Sequence, residues 1–155
     1  MESSVTQTAF QNNVLEIVDV AAHQAVAVPG SAEKFNQRWS PDGKWIVATP
    51  NNESELDLFD VAAGRWSVLA SMRADYPSWS ADSKFVYFVN VAEHSAVYRV
   101  ARGSRRLELV ASLDRVDRAM DELYAQWAGL TPDGAPLILK SADLQNIYAL
   151  SFKLK

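Results

Sequence analysis

The chain has 155 residues, of which 48% are hydrophobic and 22% are charged, a balance typical of a folded domain. Its formal net charge of −4 argues against general binding to nucleic acids or to anionic membranes, because both require a positive field. The absence of cysteine excludes disulfides and thiolate chemistry but leaves the cellular compartment unknown. No apolar run approaches the roughly 20 residues that span a bilayer, and MESSVTQTAFQNN lacks the features of a signal peptide. We therefore expect no membrane insertion by this chain.

A repeated turn is the main landmark along the chain. The segment RWSPDGKWIV at 38–47 is followed by SWSADSKFVY at 78–87 and then by GLTPDG at 129–134. A second landmark recurs in phase, since LEIVDVAAHQA from Leu15 matches LDLFDVAAGRW from Leu56. Two landmarks that share a period of about 40 residues indicate an internal structural repeat.

Each period predicts four short strands. β-Branched and aromatic residues alternate with a spacing of two and are interrupted by turn residues. The two complete copies predict strands at 35–40, 45–50, 55–61 and 66–71, and at 76–80, 85–91, 96–101 and 107–112. Four antiparallel strands in about 40 residues are typical of a β-propeller blade.

We therefore expect an all-β propeller fragment of about three and a half blades, spanning residues 1–155. Its predicted parts are a partial blade at 4–30, blades at 35–71 and 76–112, and a partial blade at 124–152. A closed propeller normally needs four to eight blades, so we interpret the chain as the C-terminal fragment of a larger propeller. A ring completed by two chains and an open arc that is stable by itself remain alternatives. The open edges of the fragment are a route to self-association.

The repeated turn has a structural explanation. In SPDG, proline fixes φ, aspartate hydrogen-bonds its own backbone and glycine accepts a positive φ, so the chain reverses between the first two strands. Ser83 replaces Gly43 in the second copy, which requires either strain or another turn geometry. We interpret the tryptophans before the turns as packing residues between blades rather than as ligand platforms. The repeat-turn positions are Trp39, Pro41, Asp42, Gly43, Trp79, Asp82, Pro132, Asp133 and Gly134.

An insertion of about eleven residues interrupts the period at LDRVDRAMDELYAQW. Val116, Met120 and Leu123 recur at helical spacing behind a capping Asp114, which predicts a short helix near 114–123. Two interpretations remain open: a surface helix that seals the gap between blades, or a binding ridge. The possible binding face, which includes neighbouring loops, comprises Asn51, Asn52, Glu53, Glu55, Glu93, His94, Asp121, Glu122 and Tyr124.

We expect no catalytic residue, cofactor or metal in this chain. His23 and His94 lie in separate turns without a second ligand at metal spacing. The carboxylates near Glu53 do not form a calcium loop, and no G-x-S-x-G nucleophile elbow occurs. Arg99, Arg102, Arg105 and Arg106 cluster on one hairpin, and the sharper interpretation of this cluster is a local anion or nucleic-acid patch. The acidic background of the chain argues against that interpretation.

The repeats carry a family resemblance. RWSPDGKWIVA, SWSADSKFVYF and GLTPDGAPLIL, each followed by an LFDV, VYRV or IYAL segment, resemble the TolB-like, WD40-like β-propeller repeat. WAGLTPDGAPLILKSADLQNIYAL further resembles the terminal repeat of propellers attached to acidobacterial winged-helix transcriptional regulators and serine/threonine kinases. The resemblance implies a non-catalytic protein-interaction or ligand-sensing module, the C-terminal part of a larger regulatory protein. The resemblance also favours a location at the extracytoplasmic end of a membrane-anchored regulator.

Two other functions fit the repeat. One is the regulatory propeller of a peptidase-like enzyme, which requires an α/β-hydrolase domain elsewhere. The other is a TolB-type envelope accessory protein, which requires an export signal and a preceding domain. In every case the expected partner is a protein or a small ligand, because a propeller fold by itself does not specify an activity.

Overall fold

The computed structural model describes residues 13–90, 95–115 and 127–138, and within them every regular element is a β-strand. The strands are β1 (Glu16–Asp19), β2 (Gln24–Ala27), β3 (Lys34–Trp39), β4 (Trp45–Pro50), β5 (Leu56–Asp60), β6 (Arg65–Ala70), β7 (Asp75–Trp79), β8 (Phe85–Asn90), β9 (Ala96–Ala101), β10 (Leu107–Ser112), β11 (Trp127–Leu130) and β12 (Pro136–Ile138). The eight predicted strands of the complete repeats all form, and each boundary moves by at most one residue.

The strands form a series of antiparallel sheets. The sheets β3-β4-β5-β6 and β7-β8-β9-β10 are four-stranded and are connected in sequence order, as in propeller blades. β1 and β2 form a hairpin before them, and β11 and β12 form a hairpin after them. The predicted fold class, an all-β partial propeller, is confirmed. The outer limits of the partial blades 4–30 and 124–152 fall outside the described residues, so the division of the chain remains a prediction.

One bulge recurs at the same place in both complete blades. The register shifts between Phe35 and Arg38 in the β3–β4 pair, and between Asp75 and Ser78 in the β7–β8 pair. Inside these intervals the backbone is left-handed, with φ of 53° at Asn36 and 52° at Tyr76. A bulge bends the strand that carries it and increases its twist. The alternation of hydrophobic residues did not predict this feature.

The buried core lies between the sheets. In what we call the central seam, Val47 and Leu58 of the first complete blade pack with Val86, Phe88 and Val100 of the second. The first seam, between β1–β2 and β3–β6, contains Val28, Ile46 and Phe59. The third seam, between β7–β10 and β11–β12, contains Tyr87, Val89, Val97 and Leu113, with Leu130 and Ile138 packed against them.

The antiparallel order places the connections at two opposite ends. The turns 40–44 and 80–84 and the outer hairpin turns 61–64 and 102–106 lie at one end, which we call the hairpin end. The connections 51–55 and 71–74 lie at the other, which we call the loop end. Of the predicted helix, Asp114 and Arg115 form a turn after β10, and 116–123 lie outside the described residues. Nothing in the described ranges forms an apolar helix long enough to traverse a bilayer.

Candidate binding site at the hairpin end

The first repeated turn is closed by its own side chains. The Ser40 hydroxyl donates to Asp42 Oδ1 at 2.6 Å and accepts from the Trp45 amide at 3.0 Å. Asp42 Oδ1 also accepts from the Lys44 amide at 3.1 Å. This network fixes the chain reversal between β3 and β4, so Ser40 and Asp42 stabilise the turn at the hairpin end.

The same network recurs in the other two turns. Ser80 donates to Asp82 at 2.7 Å, and Thr131 donates to Asp133 in the equivalent arrangement. These hydroxyl hydrogen bonds are the main cause that lowers the pKa of Asp42, of Asp82 and of Asp133. A carboxylate with a lowered pKa remains ionised at neutral pH and is poorly suited to general acid–base catalysis. The prolines at the second position of the turns, Pro41 and Pro132, are exposed.

Ser83 keeps the geometry of the glycine that it replaces. Its φ is 59°, beside 70° at Gly43 and 87° at Gly134, so the second turn retains a left-handed residue with a side chain. The side chain is buried, and its Oγ accepts from the Asp42 amide of the preceding turn at 3.1 Å. The sequence allowed either a strained left-handed residue or a different turn geometry, and the structure has the strained residue. Ser83 also provides a hydrogen bond between blades.

The two repeat tryptophans have different surroundings. Trp79 packs against the central seam, and its indole nitrogen donates to the Arg38 carbonyl of the preceding blade at 3.0 Å. Trp39 is 44% exposed, so the predicted packing role applies to Trp79 and not to Trp39 within the described residues. The reason is topological: β1 and β2 match the third and fourth strands of a blade, so the described part of the preceding sheet offers Trp39 no first strand of the kind that β3 offers Trp79.

An outer cleft opens between the outer hairpins of the two complete blades. It has a volume of about 560 Å³, and its lining includes Trp45, Leu58, Asp60, Arg65, Arg102 and Arg105. The Arg102 guanidinium lies 4.5 Å from the centre of the Trp45 ring, and its Nε donates to the Ser83 carbonyl at 3.1 Å. Stacking and hydrogen bonding together hold this arginine against the cleft.

A second, inner cleft lies between the second and third repeated turns. Its volume is about 380 Å³, and it is lined by residues of 79–85 and of 130–134. Asp82 and Asp133 stand on its two sides, each tied to its own turn. Both clefts therefore open at the hairpin end, where the repeat brings turns from successive blades together.

The loop end carries part of the binding face that the sequence predicts. Asn51 and Asn52 are exposed there, whereas Glu55 is half-buried. Glu53 forms an ion pair of 2.6 Å with Arg73, which also contacts Asp75 at 3.2 Å. Glu93, His94, Asp121, Glu122 and Tyr124 lie outside the described residues. The structure thus leaves the assembly of this face untested.

Burial raises the pKa of Asp75, and the nearby Arg73 partly opposes this rise. Asp75 is 5% exposed beside the Glu53–Arg73 ion pair. Its carboxylate is therefore a buried titratable group at the loop end, where the equally buried Asp57 pairs with Lys34.

The predicted arginine cluster divides into two groups. Arg99 stacks on Phe85 and pairs with Glu108 at 2.6 Å, and Arg106 also reaches Glu108. Arg102 and Arg105 instead line the outer cleft together with Arg65, which the sequence interpretation did not include. Arg65 and Arg105 lie in the outer hairpins of adjacent blades, and no local sequence signal pairs them.

The other candidates for chemistry remain separate. His23 is exposed in the turn between β1 and β2, and His94 lies outside the described residues. Across 13–90, 95–115 and 127–138, no three histidine or acidic side chains gather closely enough to hold a metal ion.

Comparison with known proteins supports the fold. No protein-family model matches this sequence, and no curated protein does. The solved structure of TolB from Acinetobacter baumannii is 25% identical and superposes with a TM-score of 0.59, covering 78% of this chain and 30% of that one. The propeller domain of the Trilobed protease from Pyrococcus furiosus is 18% identical, with a TM-score of 0.52, covering 65% of this chain and 34% of that one.

A structure of prolyl endopeptidases is 19% identical, with a TM-score of 0.57, and the match covers 84% of this chain and 23% of that one. The chain thus spans about a third or less of each of these structures. Together they confirm the resemblance to a TolB-like β-propeller. The finer resemblance to acidobacterial regulators remains a prediction.

Proposed function

We propose that this chain is a non-catalytic interaction or ligand-sensing module of a larger regulatory protein, and that it binds its partner through the hairpin end. The outer cleft is the observation that carries this proposal. It is preformed, its volume of about 560 Å³ falls in the range of small-ligand sites, and its walls belong to two blades joined by a buried core.

The local chemistry supports binding rather than catalysis. The turn aspartates are committed to hydrogen bonds within their own turns, and the cleft presents guanidinium and aromatic groups, which recognise ligands without reacting with them. This chain spans about a third or less of each similar structure, which supports a module inside a larger protein. A location at the extracytoplasmic end of a membrane-anchored regulator is part of the same proposal.

The proposal is tested by mapping binding on the chain itself. At 17.2 kDa the chain suits amide chemical-shift mapping with a library of sugars, short peptides and organic anions. We expect perturbed amides at 40–44, 61–67, 80–84 and 102–106, and each bound compound is recovered chemically unchanged. Perturbations confined to 51–55 and 71–74 would favour the predicted loop-end face. Absence of binding at the hairpin end, or conversion of a bound compound, would overturn the proposal.

A second candidate is the regulatory propeller of a peptidase-like enzyme. The likeness to the propeller of the Trilobed protease and to prolyl endopeptidases favours it. A TolB-type envelope accessory protein is a third candidate, and the TolB match is compatible with it. Sequencing the complete coding region distinguishes the three. A hydrolase domain with a nucleophile elbow would support the peptidase-like enzyme. An export signal with a TolB-like domain would support the envelope protein. A winged helix or a kinase domain would support the regulator.

A further inference from the structure

The outer cleft concentrates positive charge on an acidic protein. Arg65, Arg102 and Arg105 line it, whereas Asp60 is the acidic residue among its lining side chains. The chain as a whole carries a formal net charge of −4, so this local excess runs against its composition. The pKa of Asp42 is lowered mainly by the Ser40 hydroxyl and to a smaller extent by Lys44 and by the Arg102 charge, so this carboxylate also interacts with an arginine of the cleft.

The charged groups of the cleft are largely uncommitted. Within the described residues, the side chains of Arg65 and Arg105 form no ion pair or hydrogen bond, and Arg102 uses only its Nε, on the Ser83 carbonyl. Asp60 accepts from the amide of Ala63 at 2.9 Å and so closes its own turn. Among the other described arginines, Arg99 pairs with Glu108 and Arg73 with Glu53, whereas Arg38 donates to the Gln37 carbonyl.

The floor of the cleft is apolar. Leu58 is 5% exposed, and the half-buried Trp45 ring lies beside it, on the same face of the sheet. Arg102 is held over this ring with its guanidinium 4.5 Å from the ring centre. Guanidinium forks bind carboxylate and phosphate oxygens in pairs, and an aromatic floor favours a ligand with a flat or apolar part.

We infer that the outer cleft is a binding site for a small organic anion, a carboxylate or a phosphate monoester, with its oxygens on the arginines and its apolar part on Trp45. This inference rests on the proposed function, because it names the ligand class of the hairpin end. Arg65 and Arg105 come from equivalent outer hairpins of adjacent blades, so the site exists only where two blades meet.

The test is calorimetric titration of the purified chain with four probes at an ionic strength of about 0.1 M, where charges more than about 10 Å apart are largely screened. Phenyl phosphate and phthalate represent the two anion classes, inorganic phosphate lacks the apolar part, and benzyl alcohol lacks the charge. We expect saturable 1:1 binding of at least one aromatic anion, weaker binding of inorganic phosphate and no binding of benzyl alcohol. The preferred aromatic anion identifies the oxyanion class.

Matched variants locate the binding. The double variant Arg65→Gln, Arg105→Gln should weaken the preferred anion by about tenfold or more, because charge-assisted hydrogen bonds are lost. Arg115→Gln removes the same charge from an exposed turn outside the cleft and should leave affinity within about twofold. Arg105→Lys keeps the charge but lacks the fork, and an intermediate loss is expected. Thermal unfolding of each variant confirms that it folds.

Two results would overturn the inference. One is the absence of saturable binding of either aromatic anion up to about 1 mM. The other is an equal loss of affinity in Arg115→Gln and in the double variant, which would indicate general charge attraction. If other library compounds bind the hairpin end while anions do not, the inference fails and the proposed function stands. If no compound binds there, both fail.

Discussion

The central seam and the first seam join sheets by different means. Across the central seam, buried residues of both blades meet and are tied by hydrogen bonds at both ends. At the hairpin end Asp42 donates to Ser83, and at the loop end the buried Thr49 hydroxyl donates to the Ala74 carbonyl at 3.1 Å. Hydrogen bonds therefore tie the two blades together at both ends of the central seam.

The first seam has a smaller core and one open side. Its indole hydrogen bond, from Trp66 to the Pro29 carbonyl, is short at 2.8 Å, but β1 and β2 are almost entirely exposed. Val18 of β1 and Val20 of the turn that follows it are 61% and 79% exposed. A four-stranded sheet covered by another blade is thus much better stabilised than a two-stranded hairpin, which is marginal by itself.

The largest expected effect comes from the centre of the central seam. Phe88 is fully buried and stacks on Tyr98, so Phe88→Ala should lower the free energy of unfolding by about 4 kcal/mol. Phe59→Ala in the first seam should cost about 3 kcal/mol or less, because its open surroundings relax into the space. Urea denaturation measures both. An equal or larger loss for Phe59→Ala would remove the distinction between the seams.

The two repeat tryptophans provide a second, matched comparison. Trp79→Phe removes the indole hydrogen bond to the Arg38 carbonyl and should cost about 1–2 kcal/mol of unfolding free energy. Trp39→Phe should change it by no more than about 0.5 kcal/mol, because Trp39 is exposed. The same denaturation experiment measures both variants. Comparable losses would mean that Trp39 also packs against another part of the chain.

Ser83 separates strain from hydrogen bonding. Ser83→Ala keeps the positive φ but loses the acceptor for the Asp42 amide, and should cost about 1 kcal/mol. Ser83→Gly loses the same acceptor but relieves the left-handed strain, so its net effect should be close to zero. Thermal unfolding of the pair checks this order. If Ser83→Ala is more stable than Ser83→Gly, the left-handed conformation carries no cost for a residue with a side chain.

The smallest effect is a dependence on pH. The pKa values of Asp42, Asp82 and Asp133 are lower in the folded chain than their ordinary value of 3.8, so each ionised carboxylate favours folding. This stabilisation is present above the ordinary pKa and is lost as the pH falls through the lower folded pKa. Asp75 has the opposite sign, because burial raises its pKa.

The midpoint temperature of unfolding should therefore decrease as the pH is lowered below about 4, because the carboxylates with lowered pKa values outnumber the one with a raised pKa. Asp82→Asn should make this fall shallower, and Asp75→Asn should make it steeper. A midpoint that rises on acidification would contradict the assignment of the turn networks.

The strands and turns were predictable because their signals are local. Alternation with a spacing of two and the SPDG chemistry place β3 to β10 within one residue of their observed limits. The two bulges were not predictable from their sequences: asparagine is enriched at left-handed positions, but Asn36 lies inside a strand pattern, and Tyr76 carries no such preference.

The candidate site was less predictable than the fold. The sequence interpretation placed Arg102 and Arg105 in one cluster with Arg99 and Arg106, whereas the sheet turns Arg99 and Arg106 towards Glu108. Arg65 lines the same cleft but belongs to the preceding blade, 40 residues before Arg105 in the chain. Only the packing of adjacent blades brings these groups together, and packing is not encoded in any one window of sequence.

Amide hydrogen exchange of the intact chain tests the central claim most directly: that the two complete blades form the rigid frame that holds the hairpin end. We predict the slowest exchange in β4, β5, β8 and β9, at the rate of global unfolding. Exchange in β1 and β2 should be at least about tenfold faster, because these strands open locally. If β1 and β2 are protected from exchange as strongly as β8, the first seam is as stable as the central seam, which would contradict this account.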